Sequence, residues 1–337
     1  MKQSAQTPYS NRGFDAEILG TLPLNDPLVL DGIIASFDKI RIKYTYKKTS
    51  FLNVEEKPGV FARKRCDTID HLSRILRSPS LWMNGQFEID PVRESRFKLG
   101  NYTHTITYRL PSDDTFSVLI GRYCCDVTAK GVAPEIILEL NPNKIPTEIW
   151  QQVSTILAAY ATKINVQRFD IAMDFPIKRN QLMLMQRPRS KYQKVVSPTG
   201  AITEYTGERS DHGATKLYDK AAELGLPDHA CTRCELTIEP QKFSGIIKHF
   251  PSILTLAPVD LDLDFSSLPY EVKSVILYPE LLPVLKQSVS RDTFAKFKKQ
   301  IHAYGQTYFA PTDDQAAAID QYIRDSLVKF KSTAFVK

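Results

Sequence analysis

Residues 38–46 read DKIRIKYTY, charged and apolar positions in alternation, the pattern of a strand with one buried face. GQFEIDP (85–91), YTHTITYRL (102–110) and TFSVLIGRY (115–123) predict three further strands. In GVAPEIILELNPNKI (131–145), Ile136, Leu138 and Leu140 fall on one face of a strand, and Glu135 and Glu139 fall on the other. TIDHLSRILRS (68–78) predicts a short helix, and TEIWQQVSTILAAYATKI (147–164) a longer one with Thr147 at its N-cap.

VQRFDIAMDFP (166–176) carries more information than any of these. As a strand it places Phe169, Ile171, Met173 and Phe175 on one face and Arg168, Asp170, Ala172 and Asp174 on the other. Ala172 leaves a small gap between two acids. KRNQLMLMQ (178–186) predicts a helix, and KVVSPTGAITEYTG (194–207) a hairpin turned at Pro198 to Gly200. ATKLYDKAAELG (214–225) starts as a strand and becomes a helix near Asp219. TRCELTIEP (232–240) is a second strand of the RFD type, with Arg233 and Glu235 on its polar face. Beyond about residue 245, GIIKHFPSILTL, YEVKSVILYPELLPVLKQSV, DTFAKFKKQIHAYGQ and DDQAAAIDQYIRDSLVKFK predict mostly helix. The organisation expected is a flexible N-terminus over 1–30, a sheet-containing module over 31–245 and a mostly helical part over 246–337.

The chain of 337 residues carries a net charge of +6, which suits a polyanionic partner. Cations interleave with aromatics in KIRIKYTYKK (39–48), RKR (63–65), RPRSKYQK (187–194) and KFKK (296–299), and together these favour a phosphate-tracking surface. Five cysteines make no disulfide framework at this length. The CTRC stretch (231–234) lacks a second ligand pair at histidine spacing, so it reads as the start of a strand. No apolar run approaches the roughly 18 residues of a membrane span, and the N-terminus lacks a signal-peptide core, so a cytoplasmic protein is expected. No P-loop is present, so any ATP-driven unwinding falls to a separate helicase.

Three predicted strands thus present acids on polar faces: Glu135 or Glu139, Asp170 with Asp174, and Glu235. If the strands are neighbours, these oxygens suit Mg2+ or Mn2+. Tyr218 lies between the second and third of them in sequence and can then attack a phosphodiester, with Lys216 or Lys220 steadying the charge. Spacing alone equally allows crosswise ion pairs, Arg168 with Glu235 and Asp170 with Arg233, and a Tyr218 that only packs.

The order RFDIAMD (168–174), YTGERSD (205–211), KLYDKAAE (216–223) and RCEL (233–236), preceded by EIILELNPNKI (135–145), resembles rolling-circle replication initiators. The nearest groups are the Rep_trans plasmid initiators and the gene II replication proteins of filamentous phages. The resemblance covers roughly residues 100–245. It implies an α+β fold with a central, mostly antiparallel sheet, helices on one side and a helical C-terminal part. It also implies an enzyme that nicks one strand of an origin, holds the 5′-phosphate on a tyrosine and later rejoins the strand.

Tyr218 matches the nicking tyrosine and Lys220 its accompanying base. Asp170 and Glu235 match the metal-binding acids, with Asp174 and Glu139 as further ligands of Mg2+ or Mn2+. Arg168, Arg209, Lys216, Arg233, Arg187, Arg189 and Lys191 are the expected DNA contacts. The H-U-H motif of most rolling-circle endonucleases is absent, as in the two families named. The partners implied are single-stranded or hairpin origin DNA and a host helicase and polymerase in a bacterial cytoplasm, with a homodimer left open. The rivals are a non-catalytic origin- or operator-binding protein and a mobilisation relaxase.

Overall fold

The structure is a computed structural model that describes residues 27–46, 88–89, 93–99, 102–121, 134–158, 161–185, 190–208, 211–226, 228–255, 266–278, 281–303 and 308–334. The predicted helix at 68–78, the RKR cluster and residues 1–26 of the expected flexible N-terminus lie outside these.

The alternating segments become one large antiparallel sheet. Its first half contains β1 (Leu28–Leu30), β2 (Ile33–Tyr46), β3 (Glu88–Ile89), β4 (Arg93–Leu99), β5 (Tyr102–Arg109), β6 (Thr115–Gly121) and β7 (Glu135–Leu140). Helix α1 (Thr147–Ala158) then leads into β8 (Ala161–Phe175) and a short β9 (Leu182–Leu184). The rest of the sheet is β10 (Tyr192–Val196), β11 (Ile202–Thr206), β12 (Thr215–Asp219) and, after the one-turn α2 (Lys220–Glu223), β13 (Thr232–Ile238). Its order is β10-β11-β12-β13-β8-β2-β7-β6-β5-β3, with β1 on β2 and β4 on β5.

One face of this sheet is the core. Phe37, Ile40, Phe169, Ile171, Met173, Phe175, Leu217, Cys234 and Leu236 are all buried there. α1 and the last helix, α7 (Asp313–Ala334), cover it. The Phe330 ring of α7 packs edge-on to Phe37 at 5.2 Å between centroids and lies 6.1 Å from Trp150 of α1. Two buried tyrosines of β2 satisfy their hydroxyls at α1: Tyr44 bonds Ser154 at 2.6 Å and Tyr46 donates to the Leu157 carbonyl at 2.7 Å. The chain is therefore α+β, with a central antiparallel sheet and helices on one side, the fold expected from the resemblance.

Between β13 and α7 stand α3 (Ile246–His249), β14 (Ile253–Thr255), α4 (Tyr270–Leu277), α5 (Leu282–Ser288), α6 (Arg291–Ala303) and β15 (Tyr308–Phe309). β15, β14 and β9 form a separate three-stranded sheet. It packs with α4 to α6 around a second apolar cluster that includes Met185, Leu254, Val272, Ile276, Leu285 and Ile301.

Three predicted helices come out differently. The helix begun at Thr147 stops at Ala158, because residues from Ala161 onward pair with β2 and extend β8. The described part of the predicted helix over 178–186, residues 178–185, forms one 3-10 turn, Arg179–Gln181, and then β9, whose Leu182 and Leu184 are buried against β14. GIIKHFPSILTL holds only the one-turn α3 before β14, since Pro251 forces the preceding Phe250 into an extended conformation. The other elements stand near their predicted places. The turn at Pro198 to Gly200 joins β10 to β11 with Gly200 at φ 83°, and β13 starts inside CTRC. Cys234 faces the core, and burial pushes the Cys231 thiol up to about 12, which disfavours a thiolate ligand. Among the described residues no helix is long and apolar enough to cross a membrane.

Candidate active site

The face of the sheet opposite α1 and α7 is polar, and its register fixes which side chains meet. β13 lies between β12 and β8, with Tyr218 opposite Arg233, Lys216 opposite Glu235, Arg233 opposite Asp174, Glu235 opposite Ala172 and Thr237 opposite Asp170. On the far side of β8, β2 sets Ser36 opposite Ala172. Directly opposed side chains on one sheet face stand about 5 Å apart at Cβ. Lys216, Tyr218, Arg233, Glu235 and Asp174 are therefore contiguous. The gap left by Ala172 lies beside Glu235.

Strand β12 ends where Asp219 caps α2, its carboxylate accepting from the Ala222 backbone N–H at 2.9 Å. That turn swings Glu223 back over the tyrosine. The carboxylates of Glu235 and Glu223 are close enough to the Tyr218 phenol for their charges to act on it. The Lys216 ammonium lies 3.7 Å from the centre of the Tyr218 ring and 3.4 Å from Glu235. Lys220 bonds Glu223 at 3.0 Å. Tyr218 is only 6% exposed, and burial together with the charge of Glu235 pushes its phenol above the usual tyrosine range.

The carboxylates have unlike surroundings. Asp174 is buried and held by a two-pronged bond from Arg233, Nε at 2.6 Å and Nη2 at 2.7 Å. The remaining terminal nitrogen of Arg233 is 3.5 Å from Asp38. Burial and the nearby Asp38 raise the pKa of Glu235. Burial also raises that of Asp170, against a bond from Thr237, and its Oδ1 has no hydrogen-bond partner among the described residues. Glu139, bound by Lys39 at 2.6 Å and by Arg41, is held below the ordinary glutamate range by those cations although burial opposes them.

The expected crosswise pairing is thus replaced. Arg233 takes Asp174, because the core-face pairs Cys234 with Met173 and Leu236 with Ile171 set the strand offset. Arg168 is buried beside Asp170, Glu139 and Asp211, and burial and Arg41 lower its pKa. Nor are the four expected metal ligands gathered together. Asp170 and Asp174 are four residues apart on one strand, about 13 Å at 3.3 Å per residue. Asp174 and Glu139 are already neutralised by cations. Among the described residues no three His, Cys, Asp or Glu side chains come together as a metal site. Lys191 is exposed and pairs with Glu208, while Arg187, Arg189 and Arg209 lie outside the described residues.

Two residues of the site escape a reading of the sequence. Asp38 sits where the β2–β8 register shifts between Phe37 and Lys39, and it accepts from Asn141 at 3.2 Å. Two consecutive polar residues between the core residues Phe37 and Ile40 are the sequence mark of that extra residue. Glu223 closes the KLYDKAAE stretch, but nothing in the sequence placed it against Tyr218.

No protein family searched matches this chain, and no curated protein does. Among solved structures, the rolling circle replication initiator protein from Geobacillus stearothermophilus is similar over 62% of this chain and 75% of that one, with 15% sequence identity and a TM-score of 0.32. A likeness of that size is too slight to assign function.

Proposed function

We propose that this chain is a DNA nicking and joining enzyme that starts rolling-circle replication, with Tyr218 as its nucleophile. The observation that carries the reading is the place of Tyr218 on the polar face, beside the carboxylates Glu235 and Glu223 and the cations Lys216 and Arg233. Tyr218 projects from the face opposite to that of Leu217, its neighbour on β12.

A phenol with a raised pKa is neutral at pH 7, so its proton must leave as the oxygen attacks. Glu235 receives it, and its own raised pKa makes it a stronger base than an ordinary glutamate. The phenol oxygen bonds the phosphorus, the bond from phosphorus to the 3′ oxygen breaks, and that oxygen leaves as a hydroxyl after taking a proton from water. The 5′-phosphate stays on Tyr218. Lys216 and Lys220 offset the charge that builds on the phosphoryl oxygens. Rejoining runs the same bonds in reverse, with Glu235 returning the proton to the phenol.

The four expected acids do not form a closed cage, so no step is assigned to a metal ion. The requirement for Mg2+ or Mn2+ is part of the proposal and is tested directly. Incubation with Mn2+ and single-stranded DNA of the encoding replicon, followed by a denaturing gel, is expected to give a slower, DNA-linked protein band. EDTA in place of Mn2+ is expected to abolish it. A full yield with EDTA removes the cation from the reading, and binding with no band under any condition favours a non-catalytic origin-binding protein.

The pH profile supplies a second test. Glu235 must be ionised to accept the proton, so adduct formation falls as pH drops through its pKa. Because that pKa is raised, the fall lies above the ordinary glutamate range of about 4.3. Asp38→Asn removes a negative charge that raises it, so the fall is expected to move to lower pH. An unmoved acidic limb in Asp38→Asn would remove Glu235 as the base.

A further inference from the structure

The helical module built on the small sheet is not used by the chemistry above, yet it carries a concentration of charge. Residues 270–303 contain six Lys and Arg against three Asp and Glu, half of the chain's net charge of +6 in a tenth of its length. Within it α5 and α6 are joined by only Val289 and Ser290, and α6 packs against both α4 and α5. Ser290 caps α6, its hydroxyl accepting from the Thr293 N–H at 3.2 Å.

Helix α6 is two-faced. Ile301 is buried, and Phe294 and Phe297 pack on the module's apolar cluster, while Arg291, Asp292, Ala295, Lys296 and Lys299 are exposed. Lys298 lies between the faces, its ammonium 4.4 Å from the Tyr308 ring centre. Among the described residues no acidic side chain forms an ion pair with Lys286, Arg291, Lys296 or Lys299. Two helices joined by a short turn, the second anchored by apolar residues and presenting a basic outer face, are the parts with which a helix-turn-helix seats its second helix in the major groove.

We propose that α6 is a duplex-DNA docking helix, placed along the major groove by Arg291, Lys296 and Lys299, residues that take no part in the nicking chemistry. The proposal extends the nicking reading by adding a second form of the same polymer. The outward positions 291, 292, 295, 296 and 299 are those that meet base edges and phosphates.

The test uses the full-length chain and a labelled duplex of about two helical turns, roughly 20 base pairs, of mixed sequence. Affinity is measured over a range of salt concentrations. The triple variant Arg291→Ala, Lys296→Ala, Lys299→Ala is expected to lose at least tenfold in affinity. Its salt slope is expected to fall by about 2.7, the counterions released at three phosphate contacts. Its thermal unfolding midpoint should stay in place, since all three side chains are exposed. The loss should be larger on duplex than on a single strand of the same length.

An unchanged duplex affinity and slope in the triple variant would overturn the proposal. So would an equal loss on both forms, which would reduce α6 to a general polyanion surface. Tyr218→Phe, run alongside, is expected to keep its duplex binding. Absence of the covalent band in the wild type would count against the nicking reading alone, and the duplex result would stand or fall by itself.

Discussion

Tyr218→Phe is expected to abolish the covalent protein–DNA band while DNA binding and folding persist. The substitution removes one oxygen and leaves the ring under Lys216, 3.7 Å from its ammonium. What disappears is the atom that would bond phosphorus, and neither Lys216 nor Glu235 can replace it. The direct effect on chemistry is complete loss, against the roughly 10²–10⁴-fold that removal of a general base costs. The ring and its packing stay in place, so a change in stability of only about 1 kcal/mol is expected. Retention of the band at wild-type yield would mean that another tyrosine carries the DNA.

Arg233→Ala is expected to damage the fold itself. Arg233 gives both prongs of its bond to Asp174, and both residues are buried. Removing the guanidinium leaves the Asp174 carboxylate buried without its counter-charge, a loss of about 3–5 kcal/mol. A domain has only about 5–15 kcal/mol in total, so the variant should unfold at much lower denaturant concentration. Adding Asp174→Asn should recover part of the loss, because a neutral amide costs less to bury than a lone charge. A loss below about 1 kcal/mol in Arg233→Ala would show that water reaches Asp174 and that the pair is not what ties β13 to β8.

The sequence patterning disclosed the strands of the site but not how they meet. β8 and β13 alternate cleanly because one face of each is buried, so their polar faces could be assigned residue by residue. The offset between them could not be read, since the R-x-D and R-x-E motifs fit several registers equally well. Packing of Cys234 on Met173 and Leu236 on Ile171 selected the one that gives Arg233 to Asp174. Asp38 was hidden for a different reason: a local irregularity in β2 breaks the period-2 pattern at that residue. The mistaken helix over 178–186 came from Leu182 and Leu184, apolar residues whose burial depends on a partner strand about seventy positions further on.

Mapping the covalent adduct identifies the residue that carries the DNA. After nuclease trimming, trypsin should release residues 217–220, LYDK, carrying a nucleotide phosphate, and fragmentation by mass spectrometry places the added mass. The phosphate is expected on Tyr218. The same mass on Tyr205, Tyr192 or any other residue, with LYDK recovered unmodified, would contradict it.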